Sequence, residues 1–191
     1  MKNKTIVLLL LLSVVGTCRA GIDSIGLYHD SSGQNTCIQD GVFSLHSIYL
    51  IIKNPSAPGA IGGWQGTLHA DPGMVIDNVV LAGGGMNFEG GNDFMVGLAI
   101  PLPWASEVVL ATFSVFAMAP GGMWFDSLVG GEYETPIYVA SGDLRELYLE
   151  YGGNGNPSVT IGLPDCPELN GASSVRNECQ SWSVIKHVYG N

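Results

Sequence analysis

Two pairs of glutamates, Glu132 with Glu134 and Glu146 with Glu150, are the first candidates for chemistry. Glycoside hydrolysis uses two carboxyl groups that flank one bond at a fixed separation. The first pair lies in a glycine-bounded acidic loop, where solvated carboxylates are usual. We therefore interpret these glutamates as surface groups and predict that the chain is not an enzyme.

The histidines are scattered along the chain, and no local motif joins one to a nucleophile. Neither Gly-x-Ser-x-Gly nor His-Glu-x-x-His occurs. The members of a Ser-His-Asp arrangement can be distant in sequence and meet only in the folded chain. A hydrolase with scattered catalytic residues therefore remains the least favoured function. The glycine-rich segment 82–93 lacks the lysine of a phosphate loop and the acidic series of a calcium loop, and we interpret it as an irregular, flexible connection. We therefore predict no cofactor and no metal.

A second kind of site is a binding platform near the end of the chain. Residues 146–150 alternate, which predicts that Glu146, Tyr148 and Glu150 share the outward face of one strand. A tyrosine flanked by hydrogen-bond acceptors can stack on a sugar ring and bind its hydroxyls. Trp104 lies in a loop and is the tryptophan expected to be exposed. The candidate ligand-binding residues are Trp104, Glu146, Tyr148 and Glu150, with an ordinary solvated strand face as the alternative.

Residues 1–20 have the composition of a secretory signal. A basic start at Lys2 and Lys4 precedes an apolar run over 6–15 and small residues before Gly21. The run is too short for a membrane-spanning helix, which needs about 20 apolar residues. We expect a secreted chain, extracellular or at the cell surface, with the periplasm as an alternative. Cys18, near the end of the run, leaves a lipid-anchored variant open.

The chain carries a formal net charge of −10 at pH 7, and loss of the basic signal would make the remainder more acidic. An acidic surface repels phosphate backbones and anionic membranes. We therefore expect no nucleic-acid partner. No second hydrophobic run of spanning length follows residues 6–15, so we also expect no membrane span. The partner that remains is a secreted or surface protein, or a polysaccharide.

The stretch 107–118 predicts the central strand of the fold. It is rich in β-branched and aromatic residues, and its two apolar faces predict cover on both sides. About nine short strands with close turn signals predict an all-β antiparallel β-sandwich over 21–165, with a closed barrel as the alternative. The tail, 166–191, contains an apolar stripe at helical spacing. It predicts a short amphipathic C-terminal helix over 181–189 that packs on the sandwich.

The succession of strand motifs resembles that of cohesin-like domains, which are secreted bacterial β-sandwiches of Ig-like or jelly-roll type. The motifs, over roughly 25–163, are Gly62-Gly63-Trp64, Met74-Val75-Ile76, Val79-Val80-Leu81, Val96-Gly97-Leu98 and Leu110-Ala111-Thr112-Phe113-Ser114-Val115. The resemblance implies a non-catalytic module that engages a protein partner through a sheet face. Because these domains are related in fold to carbohydrate-binding modules, a sugar-binding module with exposed aromatics is the alternative function.

The same resemblance bears on the three cysteines that follow the signal, Cys37, Cys166 and Cys179. In cohesin-like sandwiches the terminal strands run side by side and parallel. This implies that the loops after the first and last strands meet, and predicts a Cys37–Cys166 disulfide. A Cys166–Cys179 bridge that fixes only the tail is the competing possibility.

Overall fold

The computed structural model describes residues 23–153 and 155–167. The predicted signal and the predicted tail helix therefore lie outside the described residues. The strands of the described part are β1 Ser24–Tyr28, β2 Cys37–Ile38, β3 Ser44–Lys53, β4 Ile61–Ala70, β5 Met74–Leu81, β6 Met86–Asn87, β7 Asp93–Leu102, β8 Glu107–Ala117, β9 Gly121–Asp126, β10 Ile137–Ala140, β11 Asp143–Glu146, β12 Tyr148–Leu149 and β13 Val159–Ile161.

The strands form two sheets. The front sheet is five-stranded with the order β12-β1-β3-β8-β5. The back sheet is eight-stranded: one path runs β11-β10-β4-β9-β13-β2, while β7 pairs with β4, and β6 with β7. The predicted all-β sandwich is confirmed. No helix in the described part is long and apolar enough to span a membrane.

Alternating side chains build the core between the sheets. On β4, Trp64 and Leu68 point inward, where they join inward residues of the other strands. Phe94 lies between Trp64 and Phe113, with ring centroids 5.5 Å and 5.8 Å away. These aromatic contacts couple the sheets, because Trp64 and Phe94 come from the back sheet and Phe113 from the front sheet.

β8 is an interior strand of the front sheet, between β3 and β5, but the prediction of cover on both its faces is wrong. Its inward residues are buried, whereas Val109, Thr112 and Ser114 are half-buried and Phe116 is exposed. A bulge after Val109 puts both Leu110 and Ala111 into the core. The apolar residues on the outer side therefore form part of the surface.

The ends of the described sandwich are joined by parallel pairing. β1 runs parallel to β12, and β2 runs parallel to β13. The second pair brings Cys37 and Cys166 together, and they form a disulfide with Cα atoms 5.2 Å apart. The predicted Cys37–Cys166 pairing is present in the structure.

The glycine-rich segment 82–93, predicted as a flexible connection, has defined structure. A 3₁₀ turn over Ala82–Gly84 leads into β6, which pairs with β7. The amide side chain of Asn87 accepts hydrogen bonds from the N–H of Glu89 and Met95, and donates one to the Asp93 carbonyl. One asparagine thus satisfies three backbone groups that a glycine-rich hairpin would otherwise leave to water.

Candidate functional site

Two of the four candidate ligand-binding residues are exposed aromatics. Trp104 is 52% exposed, and its indole N–H donates to the Pro55 carbonyl at 2.8 Å. Tyr148 is 51% exposed on β12 and lies opposite Ser24 of β1. The expected exposure of Trp104 is confirmed, although its hydrogen bond fixes one edge of the ring.

The predicted single strand carrying Glu146, Tyr148 and Glu150 is wrong. Glu146 ends β11 in the back sheet, and Tyr148 begins β12 in the front sheet. Leu147 is fully buried between them, where the chain crosses from one sheet to the other. Glu146 is exposed, but Glu150 is only 5% exposed and cannot contact a surface ligand.

Glu150 belongs to a buried cluster with Tyr28 and Lys53. The Tyr28 hydroxyl donates to Glu150 Oε2 at 2.5 Å, and Lys53 Nζ lies 3.2 Å from the same oxygen. The ammonium also lies 4.4 Å from the centre of the Tyr28 ring and donates to the Gly33 carbonyl at 2.6 Å. Each charge therefore has a close partner, which is the condition for keeping charges away from water. We interpret this cluster as structural.

The loop that follows β1 covers the cluster from outside. Burial raises the pKa of the Asp30 carboxyl, but hydrogen bonds from Ser32, Asn35 and Gln34 outweigh that effect and hold the pKa below its usual 3.8. The ionised carboxylate fixes the loop, and its Gly33 carbonyl reaches Lys53. The loop therefore covers the outer side of the front sheet at the end where Lys53 lies.

A second buried polar group joins the start of the chain to β10. The Tyr138 hydroxyl donates to Asp23 Oδ2 at 2.6 Å, and Asp23 also accepts from the Ser56 N–H and hydroxyl. Burial, together with the hydrogen bond to Asp23, raises the pKa of Tyr138 to about 12. Both groups are enclosed, so this network also fixes the fold.

The histidines are dispersed, as expected. His69 stacks on Trp124 with ring centroids 5.2 Å apart, and His29 approaches His46 at 6.1 Å. Burial lowers the pKa of His29 below its usual 6.5, against a hydrogen bond from its ring to the Thr160 carbonyl. Within residues 23–153 and 155–167, no group of three or more His, Cys, Asp or Glu side chains could hold a metal ion.

One surface of the back sheet crosses five strands: β6, β7, β4, β10 and β11. Strand pairing aligns two rows on its outer side. One row is Phe88, Met95, Gln65, Ile137 and Glu146; the other is Met86, Gly97, Gly63, Val139 and Leu144. We call these two rows together the glycine-floored face. At about 4.8 Å per strand, the rows are roughly 20 Å long.

The glycines in the middle of this face keep it low. A Cβ on Gly63 would lie 2.7 Å from the Val96 carbonyl oxygen, so a larger residue would push β7 away. The ring of Phe88 lies over Gly97, 3.2 Å from where a Cβ would stand. Phe88 is 66% exposed and Met95 is 40% exposed. The result is a flat floor with apolar side chains raised along one edge.

Charges at the rim of this face are negative. Glu89 follows Phe88, and Glu146 ends β11; both are exposed. The nearby Arg145 is paired with Asp143 at 3.5 Å, and both side chains are about half exposed. A centre free of charge inside an acidic rim is the arrangement found in protein-binding surfaces.

The sequence prediction included only Glu146 of this face. The alternation of Phe94, Met95, Val96 and Gly97 would have placed Met95 and Gly97 on the solvent side. Met86 and Phe88 could not be found in this way, because they lie in the segment predicted as an irregular loop. Recognising them requires the pairing of β6 with β7, which no local pattern reveals.

Fold and site together define a two-sheet β-sandwich whose back sheet carries exposed apolar side chains at Met86, Phe88 and Met95. No protein-family model matches the chain, and no curated protein matches it. Among the solved structures that are similar to it are three cohesins. The first is the cohesin module of a family 33 glycoside hydrolase from Clostridium perfringens, with 9% identity and a TM-score of 0.47, covering 66% of this chain and 90% of that chain.

The second is the type I cohesin–dockerin complex Coh-OlpC-Doc435 from Clostridium thermocellum, with 10% identity and a TM-score of 0.46, covering 70% of this chain and 92% of that chain. The third is a non-cellulosomal cohesin from the archaeon Archaeoglobus fulgidus, with 10% identity and a TM-score of 0.37, covering 81% of this chain and 98% of that chain. All three are described as cohesins, the family that the strand motifs resemble.

Proposed function

We propose that the chain is a non-catalytic binding module that engages a protein partner through the glycine-floored face. The observation that carries the proposal is the exposure of Met86, Phe88 and Met95 beside a floor of two glycines. Contiguous exposed apolar side chains are uncommon on monomers and mark interaction sites. Methionine adapts its shape to a partner, and phenylalanine supplies a rigid anchor.

A photo-crosslinking amino acid at Met95 tests the proposal in the native host. We expect a discrete adduct of higher mass, containing a protein that mass spectrometry identifies. The matched control carries the same group at Val80, which is 57% exposed on β5 of the front sheet and therefore lies on the opposite side of the sandwich. Equal labelling from both positions, or no adduct from Met95, would contradict the proposal.

Secretion is part of the same proposal. A disulfide is stable in oxidising compartments, which supports an exported location. Sequencing the N-terminus of the protein from the culture supernatant should find Gly21 first. Recovery of the intact chain from the cytosol alone would contradict this.

The non-catalytic role has its own test. Turnover in broad glycosidase or esterase screens would contradict it.

Carbohydrate binding is the second candidate, favoured by the exposure of Trp104 and Tyr148. Exposed aromatic rings stack on sugar rings. A glycan array should then show specific binding that Trp104→Ala or Tyr148→Ala abolishes. Glu150 has no part in this site, since it is buried. An array without a specific signal would exclude this candidate.

A further inference from the structure

The front sheet carries a separate apolar surface on its outer side. Leu45 of β3 lies opposite Phe116 of β8, and Phe116 lies opposite Val75 of β5. We call these three residues the front row. Phe43 and Met118 continue it at the same end of the sheet, because the Phe43 N–H donates to the Ala117 carbonyl and the Met118 N–H to the Gly73 carbonyl.

The side chains of this surface are unusually exposed for their size. Phe43 is 75% exposed, Leu45 is 62% exposed and Met118 is 53% exposed. Phe43 also has a backbone φ of +63°, in the left-handed region that a bulky residue rarely adopts. Phe43 lies in the turn that leads into β3, where a glycine would adopt this φ without strain. Backbone strain of this kind is concentrated at functional positions.

The next row of the sheet is polar. Ser47, Ser114 and Asn78 lie opposite one another on β3, β8 and β5. The outer side of the front sheet therefore changes from apolar to hydrogen-bonding within one row. A partner with one apolar and one polar side, such as an amphipathic helix, matches this change.

The charge around the front row is negative. Asp77 projects from a bulge of β5 two residues after Val75, and Asp40 precedes Phe43; both are exposed. Lys53 and Arg145, the lysine and arginine of the described part, are each paired with an acid. The chain as a whole carries −10. These charges repel a second copy of the chain and attract a cationic partner.

We propose that the front row, with Phe43 and Met118, is a second docking surface, and that its partner is a basic amphipathic segment of another protein. Apolar side chains of the partner pack on Leu45 and Phe116, while its lysines or arginines face Asp40 and Asp77. This surface lies on the opposite sheet from the glycine-floored face and does not depend on it. A module with both surfaces can join two proteins.

The test uses two synthetic helical peptides on the purified chain. One has leucine and lysine at helical spacing, and its twin has glutamate in place of lysine. Fluorescence anisotropy should show saturable binding of the lysine peptide alone, weakening as salt is added. The key variant is Phe43→Gly, because glycine accepts the positive φ. We expect at least about a tenfold loss of affinity, with an unfolding temperature equal to the wild-type value or higher.

Val80→Ser is the matched control, since Val80 is 57% exposed on β5 outside the front row. It should leave peptide affinity within about twofold of wild type, since Val80 lies opposite Thr112 and outside the docking surface. Met95→Ser, on the glycine-floored face, should do the same, which separates this proposal from the proposed function. Three results would overturn the inference: equal binding of the glutamate twin, equal losses for Val80→Ser and Phe43→Gly, or a dimer in sedimentation that Phe43→Gly dissociates.

Discussion

The replacement Lys53→Met should destabilise the fold strongly, because it leaves the buried Glu150 carboxylate without its cation. The Lys53 Nζ and Glu150 Oε2 atoms are 3.2 Å apart, and their side chains are 12% and 5% exposed. At an effective dielectric constant of about 20, two unit charges at this distance attract by about 5 kcal/mol. Part of that attraction only offsets the cost of dehydrating both groups.

We therefore expect Lys53→Met to lower the free energy of unfolding by about 3–5 kcal/mol, the range for breaking a buried pair. Adding Glu150→Gln should recover most of the loss, since it removes the unpaired charge and keeps an acceptor for the Tyr28 hydroxyl. Urea unfolding at pH 7, followed by tryptophan fluorescence, measures both effects.

Arg145→Met is the matched control for removal of a cation. Arg145 and Asp143 are 3.5 Å apart, but their side chains are 45% and 54% exposed. Water screens such a pair, so the loss should be below about 1 kcal/mol. The reasoning fails if Lys53→Met costs no more than Arg145→Met. It also fails if the double variant is no more stable than Lys53→Met.

Three further predictions concern the disulfide and two titrating groups. Reduction of Cys37–Cys166, which spans 129 residues, should cost roughly 2–4 kcal/mol and lower the melting temperature by about 5–15 °C in circular dichroism. The Cys37→Ser/Cys166→Ser variant should not respond to reductant, and a peptide linking Cys166 to Cys179 would refute the pairing. Burial raises the pKa of Tyr138 from 10.0 to about 12. The stability that this shift contributes is present below pH 10 and should be lost as the pH rises toward 12. Tyr138→Phe should remove this pH dependence, measured as the midpoint of urea unfolding. Burial lowers the pKa of His29 below 6.5, so the unfolded chain binds the proton at a higher pH than the folded chain does. The free energy of unfolding should therefore fall as the pH drops below 6.5. If His29→Gln leaves the slope of stability against pH unchanged, this reasoning is wrong.

Alternation within single strands predicted much of the sandwich. The inward positions of Trp64 and Leu68 follow from a two-residue period. The interior position of β8 was predicted from its β-branched and aromatic content instead. The alternation of polar and apolar residues gave a wrong prediction at 146–150. The pattern continues unbroken where the chain passes from β11 in the back sheet to β12 in the front sheet, so the two strands looked like one. Glu150 therefore looked like a partner of Glu146 on a wet face. Its true partners, Tyr28 and Lys53, are distant in sequence, and local spacing carries no information about them.

The glycine content of 82–93 led to the opposite error, an irregular loop predicted where the structure has a turn and a strand. The segment 82–93 looked irregular because glycine permits many backbone conformations. The side chain of Asn87 selects one of them through hydrogen bonds to the same hairpin. The strain at Phe43 was also invisible, since a backbone angle cannot be read from residue type. Both proposed docking surfaces rest on such features, which explains why sequence alone did not locate them.

The disulfide also determines how the sandwich would carry a mechanical load. Tension that passes along β1 reaches Cys37, crosses the sulfur bridge to Cys166 and continues into the residues that follow. The chain between the two cysteines, a separation of 129 residues, lies off this path. Of the described residues, pulling can therefore extend the segment 23–36 by roughly 50 Å, whereas an unbridged chain would also extend between the cysteines by about 450 Å. Both docking surfaces lie inside the bypassed segment and would keep their shape under force.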